Sequence, residues 1–193
     1  MKSLSKSAAF ELHTARLRLI PLDEENLQLS LEDPGRMEAN LGLQVTGHGP
    51  EGEVREAVQH MLEHVQQDAP DWLWFTNWQI VLKVKNHIVG GFCFKGPASQ
   101  DGEVEIGYGI EPEHQKQGYM TEALREAARW AFQQPRVRGI IAETEPSNVA
   151  SLAVLEKVGF MRHQETESSL WWGLSPKRAG AQKDVGRSPN QGG

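Results

Sequence analysis

The chain has few features of an exported or membrane-bound protein. Its 193 residues include a single cysteine, Cys93, which excludes an internal disulfide framework and is typical of a reducing cytoplasm. No apolar run approaches the ~18 residues of a membrane span. Residues 1–9 are polar, so no secretory signal is visible. We therefore expect a cytoplasmic protein that does not enter the membrane.

Basic residues are also scarce, with 20 Lys and Arg against 26 Asp and Glu and a formal net charge of −6. Nucleic acids usually require a basic face, so we expect no nucleic-acid partner, whereas a cationic amine substrate is compatible with this charge. The seven histidines show no metal-ligand spacing, so we expect no metal. Cys93 lies in an apolar segment without neighbours that would depress its pKa, and we interpret it as a core residue rather than a nucleophile.

The length and the 38% apolar content suit one α/β domain. We expect a poorly ordered lead over 1–12, the domain over 13–174, and a polar tail with little structure over 175–193. Residues 33–50 are interpreted mostly as loop, and the clearest amphipathic helix runs from Val54 to Val65. Alternating or apolar runs predict strands that begin at Leu17 and that cover 88–94, 103–110, 140–145 and 169–174.

Four large apolar residues share one parity, so an unbroken strand would place them on one face: Trp72, Trp74, Trp78 and Ile80. One interpretation is packing in the core. The other places part of this face beside an acceptor pocket, where aromatic rings contact an apolar or cationic group.

The most informative segment is a strand, a short turn and a helix. The strand covers 103–110, and apolar residues at helical spacing predict a helix from Tyr119 to about Gln133. Between them, Gln115 to Gly118 leaves the first amides of the helix unpaired, which together with the helix dipole makes a site for an anion such as a phosphate. Gly118 has no Cβ to block a close approach to the backbone.

A second strand and helix follow. The strand covers 140–145, either Ser147 or Asn148 caps the next helix, and that helix runs from Val149 to Val158. Lys157 in its last turn and Gly159 just after it are typical of a helix end.

These segments resemble the GNAT acyltransferases over roughly residues 13–174. The acetyl-CoA pyrophosphate loop of that family, Gln/Arg-x-x-Gly-x-Gly/Ala, matches Gln115-Lys116-Gln117-Gly118-Tyr119-Met120, with Met120 where the family has a small residue. The run from Asn148 and Ser151 to Glu156-Lys157-Val158-Gly159-Phe160 resembles the second half of the GNAT core. Thr14-Ala15-Arg16-Leu17 resembles the first strand of the branch that contains the ribosomal-protein N-terminal acetyltransferases. The resemblance implies a mixed sheet of about six or seven strands, splayed between its fourth and fifth strands and flanked by about four helices.

The resemblance also assigns the donor side of the site. It implies that the backbone amides of Gln115 to Met120 hold the pyrophosphate of acetyl-CoA, with charge added by Lys116, and that Asn148 contacts the cofactor arm or caps its helix. The arm is expected to enter the splay and pair with the strand of residues 103–110, where Gly107 and Gly109 fit a close approach. The main-chain amide near Ile110 would then face the thioester carbonyl.

Two catalytic residues are implied by the same resemblance. Glu105 matches a strand carboxylate that acts as general base in parts of the superfamily; Glu103, Glu165 and Glu167 are the alternatives. Many members carry a tyrosine as general acid immediately before the Glu-Lys pair, where this chain has Leu155. Ser151, one helical turn earlier, is the expected substitute, and a thiol with a pKa near ~8.5 also leaves with little help.

We therefore expect a GNAT-fold N-acetyltransferase that transfers an acetyl group from acetyl-CoA to a primary amine by direct attack in a ternary complex. The acceptor is the N-terminus of a protein or peptide, or a small-molecule amine, and a homodimer is a family-level expectation. The alternative is a degenerate acyl-CoA-binding sensor without turnover, which Leu155 and Met120 would favour.

Overall fold

A computed structural model describes residues 10–67 and 70–181 of the chain. Its centre is an eight-stranded mixed sheet in the order β1-β2-β3-β4-β5-β6-β8-β7. Neighbouring strands are antiparallel except for the parallel pair β5–β6. The strands are β1 Leu12–His13, β2 Leu17–Pro21, β3 Asn77–Leu82, β4 His87–Phe94, β5 Glu103–Ile110, β6 Gly139–Thr144, β7 Met161–Glu165 and β8 Leu170–Leu174.

Six α-helices flank the sheet within the described ranges. The predicted mixed α/β fold is confirmed, with eight strands and six helices where about six or seven strands and about four helices were expected. None of the described helices is long and apolar enough to cross a membrane. The helices are α1 Glu24–Glu32, α2 Pro34–Asn40, α3 Gly52–Val65, α4 Tyr119–Ala131, α5 Val149–Val158 and α6 Pro176–Ala181, and Trp72–Trp74 and Pro112–His114 form 3₁₀ turns.

The apolar core is divided between the two faces of the sheet. The larger cluster joins the sheet to α4 and α5, and a smaller cluster lies among α1, α2 and α3. In the larger cluster the Trp130 ring lies 4.8 Å from that of Trp74 and 5.2 Å from that of Trp78. The core-packing interpretation therefore holds for Trp74 and Trp78. The assumption of one unbroken strand is wrong, because Trp72 and Trp74 lie in a 3₁₀ turn ahead of β3.

The sheet splits between β5 and β6, the fourth and fifth strands if the two-residue β1 is set aside. Residues 103–105 of β5 pair with residues 139–141 of β6. Beyond Glu105 and Ile141 the pairing stops, although β5 continues to Ile110 and β6 to Thr144. The ends of these two strands therefore diverge and leave a gap in the sheet, as predicted.

Three expectations from the sequence are wrong or incomplete. The segment 33–50 is mostly loop, but the prediction missed α2 at its start, where Asp33 caps the helix and Pro34 occupies its first turn. The lead does not extend to residue 12, since Phe10 packs on the core and Leu12 lies in β1. The tail begins with α6, whose Ala179 packs on the core. The remainder of the predicted lead and tail, residues 1–9 and 182–193, lies outside the described residues.

Candidate functional site

The start of α4 offers unpaired amides to an anion. Gly118 is the N-cap residue and adopts a left-handed conformation with φ +78°, and no side chain caps the helix there. Residues 115–118 are exposed. Because the first amides of a helix have no partner within it and carry the positive end of the helix dipole, this turn is suited to a phosphate group.

The side chains around this turn leave its amides accessible. Met120, which replaces the small residue of the family pattern, is only 4% exposed and packs in the core. Its greater size therefore does not obstruct the exposed side of the loop. Lys116 has φ +60° and an exposed side chain, which places a positive charge beside the anion site.

Two residues distant in the sequence, Thr14 and Arg16, hold this loop through contacts that the sequence analysis did not predict. The Arg16 guanidinium donates through Nη1 to the Gln117 carbonyl at 3.0 Å and through Nε to Glu122 Oε2 at 2.7 Å. It also lies 4.6 Å from the centre of the Tyr119 ring. The Arg16 amide and the Thr14 hydroxyl donate to Glu122 Oε1 at 2.9 and 2.6 Å. Arg16 thus places a guanidinium, paired with Glu122, beside the exposed turn and fixes the first turn of α4 to the start of β2.

The edge of β5 beyond Glu105 presents backbone groups to the gap. Lys95 donates its amide to the Glu105 carbonyl, and Glu111 donates its amide to the Val89 carbonyl, both at 2.9 Å. In an antiparallel pair, residues that bond to the neighbouring strand alternate with residues whose backbone groups face away from it. The amides of Ile106, Tyr108 and Ile110 therefore face the gap, where an extended ligand can add as a strand.

Two hydroxyl groups meet at the wall of the gap. The Tyr108 hydroxyl lies 2.6 Å from Ser151 Oγ, which links β5 to α5. Asn148 caps α5, because its Oδ1 accepts the Ser151 amide at 3.0 Å. Burial raises the pKa of Tyr108, against a smaller lowering by its hydrogen bond with Ser151. Leu155, where many family members have a tyrosine, is fully buried in the core.

A cavity of about 550 Å³ lies on the other face of the sheet, between β3–β5 and the segments α1 to α3. Its size is in the range of small-molecule sites. Val54, Ala57, Val58 and Met61 of α3 contribute an apolar wall. The floor is formed by Asn77, Gln79, Gly91, Cys93, Gly107 and Gly109.

Glycines keep this floor open. A Cβ on Gly109 would meet no atom within 4 Å, so the space above it belongs to the cavity. A Cβ on Gly91 would lie 2.8 Å from Asn77 Oδ1, a buried oxygen that has no hydrogen-bond partner among the described residues. Cys93 is half-buried in this floor rather than in the core, and burial raises the pKa of its thiol, which disfavours a nucleophilic role.

The carboxylates predicted as general bases lie in different surroundings. Glu105 forms an ion pair with Lys95, the residue directly after β4, and does not contribute to the cavity lining. Glu103, Glu165 and Glu167 are exposed, and Glu165 pairs with Arg162. The sequence reasoning missed Glu111, which directly follows β5 and lines the cavity. Burial raises the pKa of Glu111, and the nearby His114 opposes that shift.

A second missed residue, Glu38, orders the loop that closes the cavity. Its side chain is buried, with 1% exposure, and it accepts hydrogen bonds from the Thr46 amide at 2.7 Å, the Thr46 hydroxyl at 2.6 Å and the Gly47 amide at 2.8 Å. Three donors around one buried carboxylate hold residues 46–47 against α2. The cavity wall on this side therefore depends on Glu38.

The exposed start of α4 beside the split sheet agrees with the resemblance to the GNAT acyltransferases that the sequence shows. Residues 16–161 match the family model of the GNAT acetyltransferase domain, so the chain belongs to the GNAT acetyltransferase family. An uncharacterised N-acetyltransferase of Bacillus subtilis (strain 168), YjdG, is 32% identical over 161 residues, which are 83% of this chain and 95% of that protein.

Two solved structures share the fold. One is AAC(6′)-Ib in complex with ribostamycin and coenzyme A, with a TM-score of 0.62 and 16% identity over 88% of this chain and 99% of that one. The other is RimL, a ribosomal alpha-N-protein acetyltransferase in complex with coenzyme A, with a TM-score of 0.60 and 18% identity over 86% of this chain and 98% of that one. The predicted family, the acyltransferase activity and the co-substrate acetyl-CoA are confirmed.

Proposed function

We propose that this protein acetylates a primary amine, with acetyl-CoA in the gap between β5 and β6, the amine in the cavity, and direct attack in a ternary complex. The observation that carries the proposal is the position of Ile110. Ile110 is the last residue of the β5 edge that faces the gap, and it also lines the cavity. The turn proposed to bind the diphosphate begins only a few residues later. Donor and acceptor would therefore meet at the end of β5.

On the donor side, backbone groups do most of the binding. The amides of Lys116, Gln117, Gly118, Tyr119 and Met120 surround the turn proposed to hold the diphosphate, and the charges of Lys116 and Arg16 reinforce it. The Gln115 amide donates to the Pro112 carbonyl at 3.3 Å and instead shapes the turn. The amides of Tyr108 and Ile110 pair with the extended arm, and Asn148 lies at its side. The Ile110 amide is proposed to stabilise the negative charge that develops on the thioester oxygen.

At the thiolate end, Ser151 is proposed to donate a proton. Its Oγ lies 2.6 Å from the Tyr108 hydroxyl, so that a proton given by Ser151 can be replaced from Tyr108. The raised pKa of Tyr108 keeps this hydroxyl protonated at neutral pH. The pair thus fills the role for which many relatives use a tyrosine at the position of Leu155.

On the acceptor side, the charge of the cavity favours an ammonium group. The described residues that line it include Glu38, Glu51, Glu53, Glu111 and His48, but no lysine or arginine. A negative cleft raises the local concentration of cations. The fold neighbours named above act on a ribosomal protein and an aminoglycoside, and we propose a peptide N-terminus or a small-molecule amine for this chain as well.

The test has two stages. Calorimetry should detect acetyl-CoA binding, and a thiol-release assay should then detect turnover with a primary amine; 1,4-diaminobutane and trialanine are suitable probes. Binding without turnover of either probe would favour the sensor alternative, which the buried Leu155 supports. Failure to bind acetyl-CoA would contradict the proposal. A cytoplasmic location and a homodimer remain predictions.

A further inference from the structure

We propose that Glu111, rather than Glu105, receives the ammonium group of the acceptor and removes its proton before attack. This inference rests on the proposed function, because it names the proton acceptor of that same reaction. It differs from the sequence-based assignment, which placed this role on the strand carboxylate of Glu105, six residues earlier.

Position is the first argument for Glu111. It is the residue directly after Ile110, and its amide is fixed by a 2.9 Å hydrogen bond to the Val89 carbonyl of β4. Glu111 lines the cavity together with Gly107, Gly109 and Ile110. A group held at this end of β5 lies where the thioester carbonyl and the acceptor are proposed to meet.

The surroundings of Glu105 are the second argument. Its carboxylate forms an ion pair with Lys95, and these two residues are also joined through the backbone across β4 and β5. The Lys95 ammonium already occupies the Glu105 carboxylate, so an acceptor ammonium would have to compete with it. Glu105 also lies outside the cavity lining, so it would contact the acceptor only after breaking this pair.

The electrostatic environment of Glu111 supports the role. Burial raises its pKa above the ordinary value, the carboxylates of Glu113 and Glu38 add to this, and His114 and His48 oppose it. His114 Nε2 lies 3.8 Å from one carboxylate oxygen of Glu111 and 3.8 Å from one of Glu113, and the centre of the His87 ring lies 5.0 Å from that of His114 at an interplanar angle of 46°. Glu51 and Glu53 face the same cavity from α3. A carboxylate with a raised pKa is a stronger base than an ordinary one.

The proton balance of the step is complete. One N–H bond of the ammonium breaks, its electron pair stays on nitrogen, and the proton passes to Glu111. The freed lone pair forms the C–N bond with the thioester carbon, and the C–S bond breaks. The amine loses its second proton to solvent as the amide forms, and Ser151 protonates the departing thiolate and regains a proton from solvent through Tyr108. Glu111 then releases its proton to solvent.

The decisive experiment compares Glu111→Gln with Glu105→Gln and with the matched control Glu56→Gln, an exposed position on α3 outside the cavity lining. Acetylation of 1,4-diaminobutane and trialanine is followed by thiol release from pH 5 to 9. We expect Glu111→Gln to lower kcat by about 100- to 1,000-fold and to remove the acidic limb of kcat/KM. Glu105→Gln and Glu56→Gln should stay within about threefold of the wild type and keep that limb.

Stability and acetyl-CoA binding separate a catalytic loss from unfolding. Because the folded protein holds the Glu111 proton more tightly than the unfolded chain, the ionised carboxylate costs stability as pH rises through its raised pKa. Glu111→Gln should therefore melt no lower than the wild type at pH 7 and bind acetyl-CoA with unchanged affinity. Retained activity in Glu111→Gln, or a loss confined to Glu105→Gln, would overturn the inference. A wild type that binds acetyl-CoA but acetylates neither probe would overturn the proposed function itself.

Discussion

The two sides of the proposed site are built in different ways. The donor side is formed by one short stretch, in which β5 ends, a turn follows and α4 begins, and its proposed ligands are main-chain amides. The acceptor side is a cavity assembled from α1 to α3, β3 to β5 and the loop before α3. Its chemistry belongs to side chains such as Glu38, Glu111 and Asn77.

This difference teaches which part of the site tolerates substitution. Backbone amides survive most changes of side chain, so the donor side should depend on conformation, above all at Gly118. A cavity defined by side chains can change its specificity through single substitutions without losing the cofactor. The two sides should therefore be separable by mutation.

The largest expected effect is on the donor side. Gly118→Val places a β-branched residue at φ +78° and disturbs the amides around it. Since each hydrogen bond to a charged group contributes roughly 1.5–3 kcal/mol, loss of two such bonds should weaken acetyl-CoA binding by at least about 100-fold in calorimetry. Gly42→Val is the matched control, with φ +66° but on the acceptor side, and should bind acetyl-CoA as the wild type does. Equal losses in both variants would mean that general strain, not the anion site, was measured.

The second-largest effect is expected on the acceptor side. Glu38→Ala removes a buried carboxylate from three donors, and we expect the free energy of unfolding to fall by about 2–3 kcal/mol in urea titrations. The acceptor KM should rise several-fold while the acetyl-CoA affinity of the folded variant stays within threefold, because only the cavity wall is loosened. Glu56→Ala, an exposed position on α3, is the control and should change neither quantity. A parallel loss of acetyl-CoA affinity would show that the two sides are not separable.

A smaller effect is expected at the contacts of Arg16 that support the donor loop. Arg16→Ala removes the bonds to Gln117 and Glu122 and one positive charge, so acetyl-CoA affinity should fall by about tenfold, or ~1.4 kcal/mol. Arg129→Ala removes an arginine that pairs with Glu126 on the surface of the same helix and should change the affinity by less than twofold. Calorimetry on both variants decides whether Arg16 acts on the donor loop or only on the surface charge of α4.

The smallest effect concerns pH. Although burial acts to raise the pKa of Glu122, hydrogen bonds from Thr14 and Arg16 lower it below the ordinary value. A carboxylate with a lowered folded pKa contributes stability above its unfolded pKa and loses it as pH falls through the folded pKa. The melting temperature of the wild type should therefore drop more steeply below about pH 4.5 than that of Glu122→Gln. Arg129→Ala should retain the steep acid drop of the wild type.

The same comparison explains what the sequence could predict. Gly118, the Asn148 cap and the apolar spacing of α4 are local signals, and β5 and α5 have the predicted bounds. Asp33 and Pro34 were local signals too, and they mark the start of α2. The bond between Arg16 and Glu122 joins residues 106 positions apart, and the roles of Glu38 and Glu111 arise only when separate segments close the cavity. Such contacts depend on how elements pack, which leaves no periodic pattern in the chain.

The most direct test of the account is the change in backbone amide resonances of the ¹⁵N-labelled protein on titration with acetyl-CoA. The account predicts the largest shifts at Tyr108 and Ile110 on the gap edge and at Gly118, Tyr119 and Met120 at the start of α4. Little change is expected on the far side of the cavity, in α2 and α3. Shifts concentrated in α2 and α3, with the start of α4 unchanged, would contradict it.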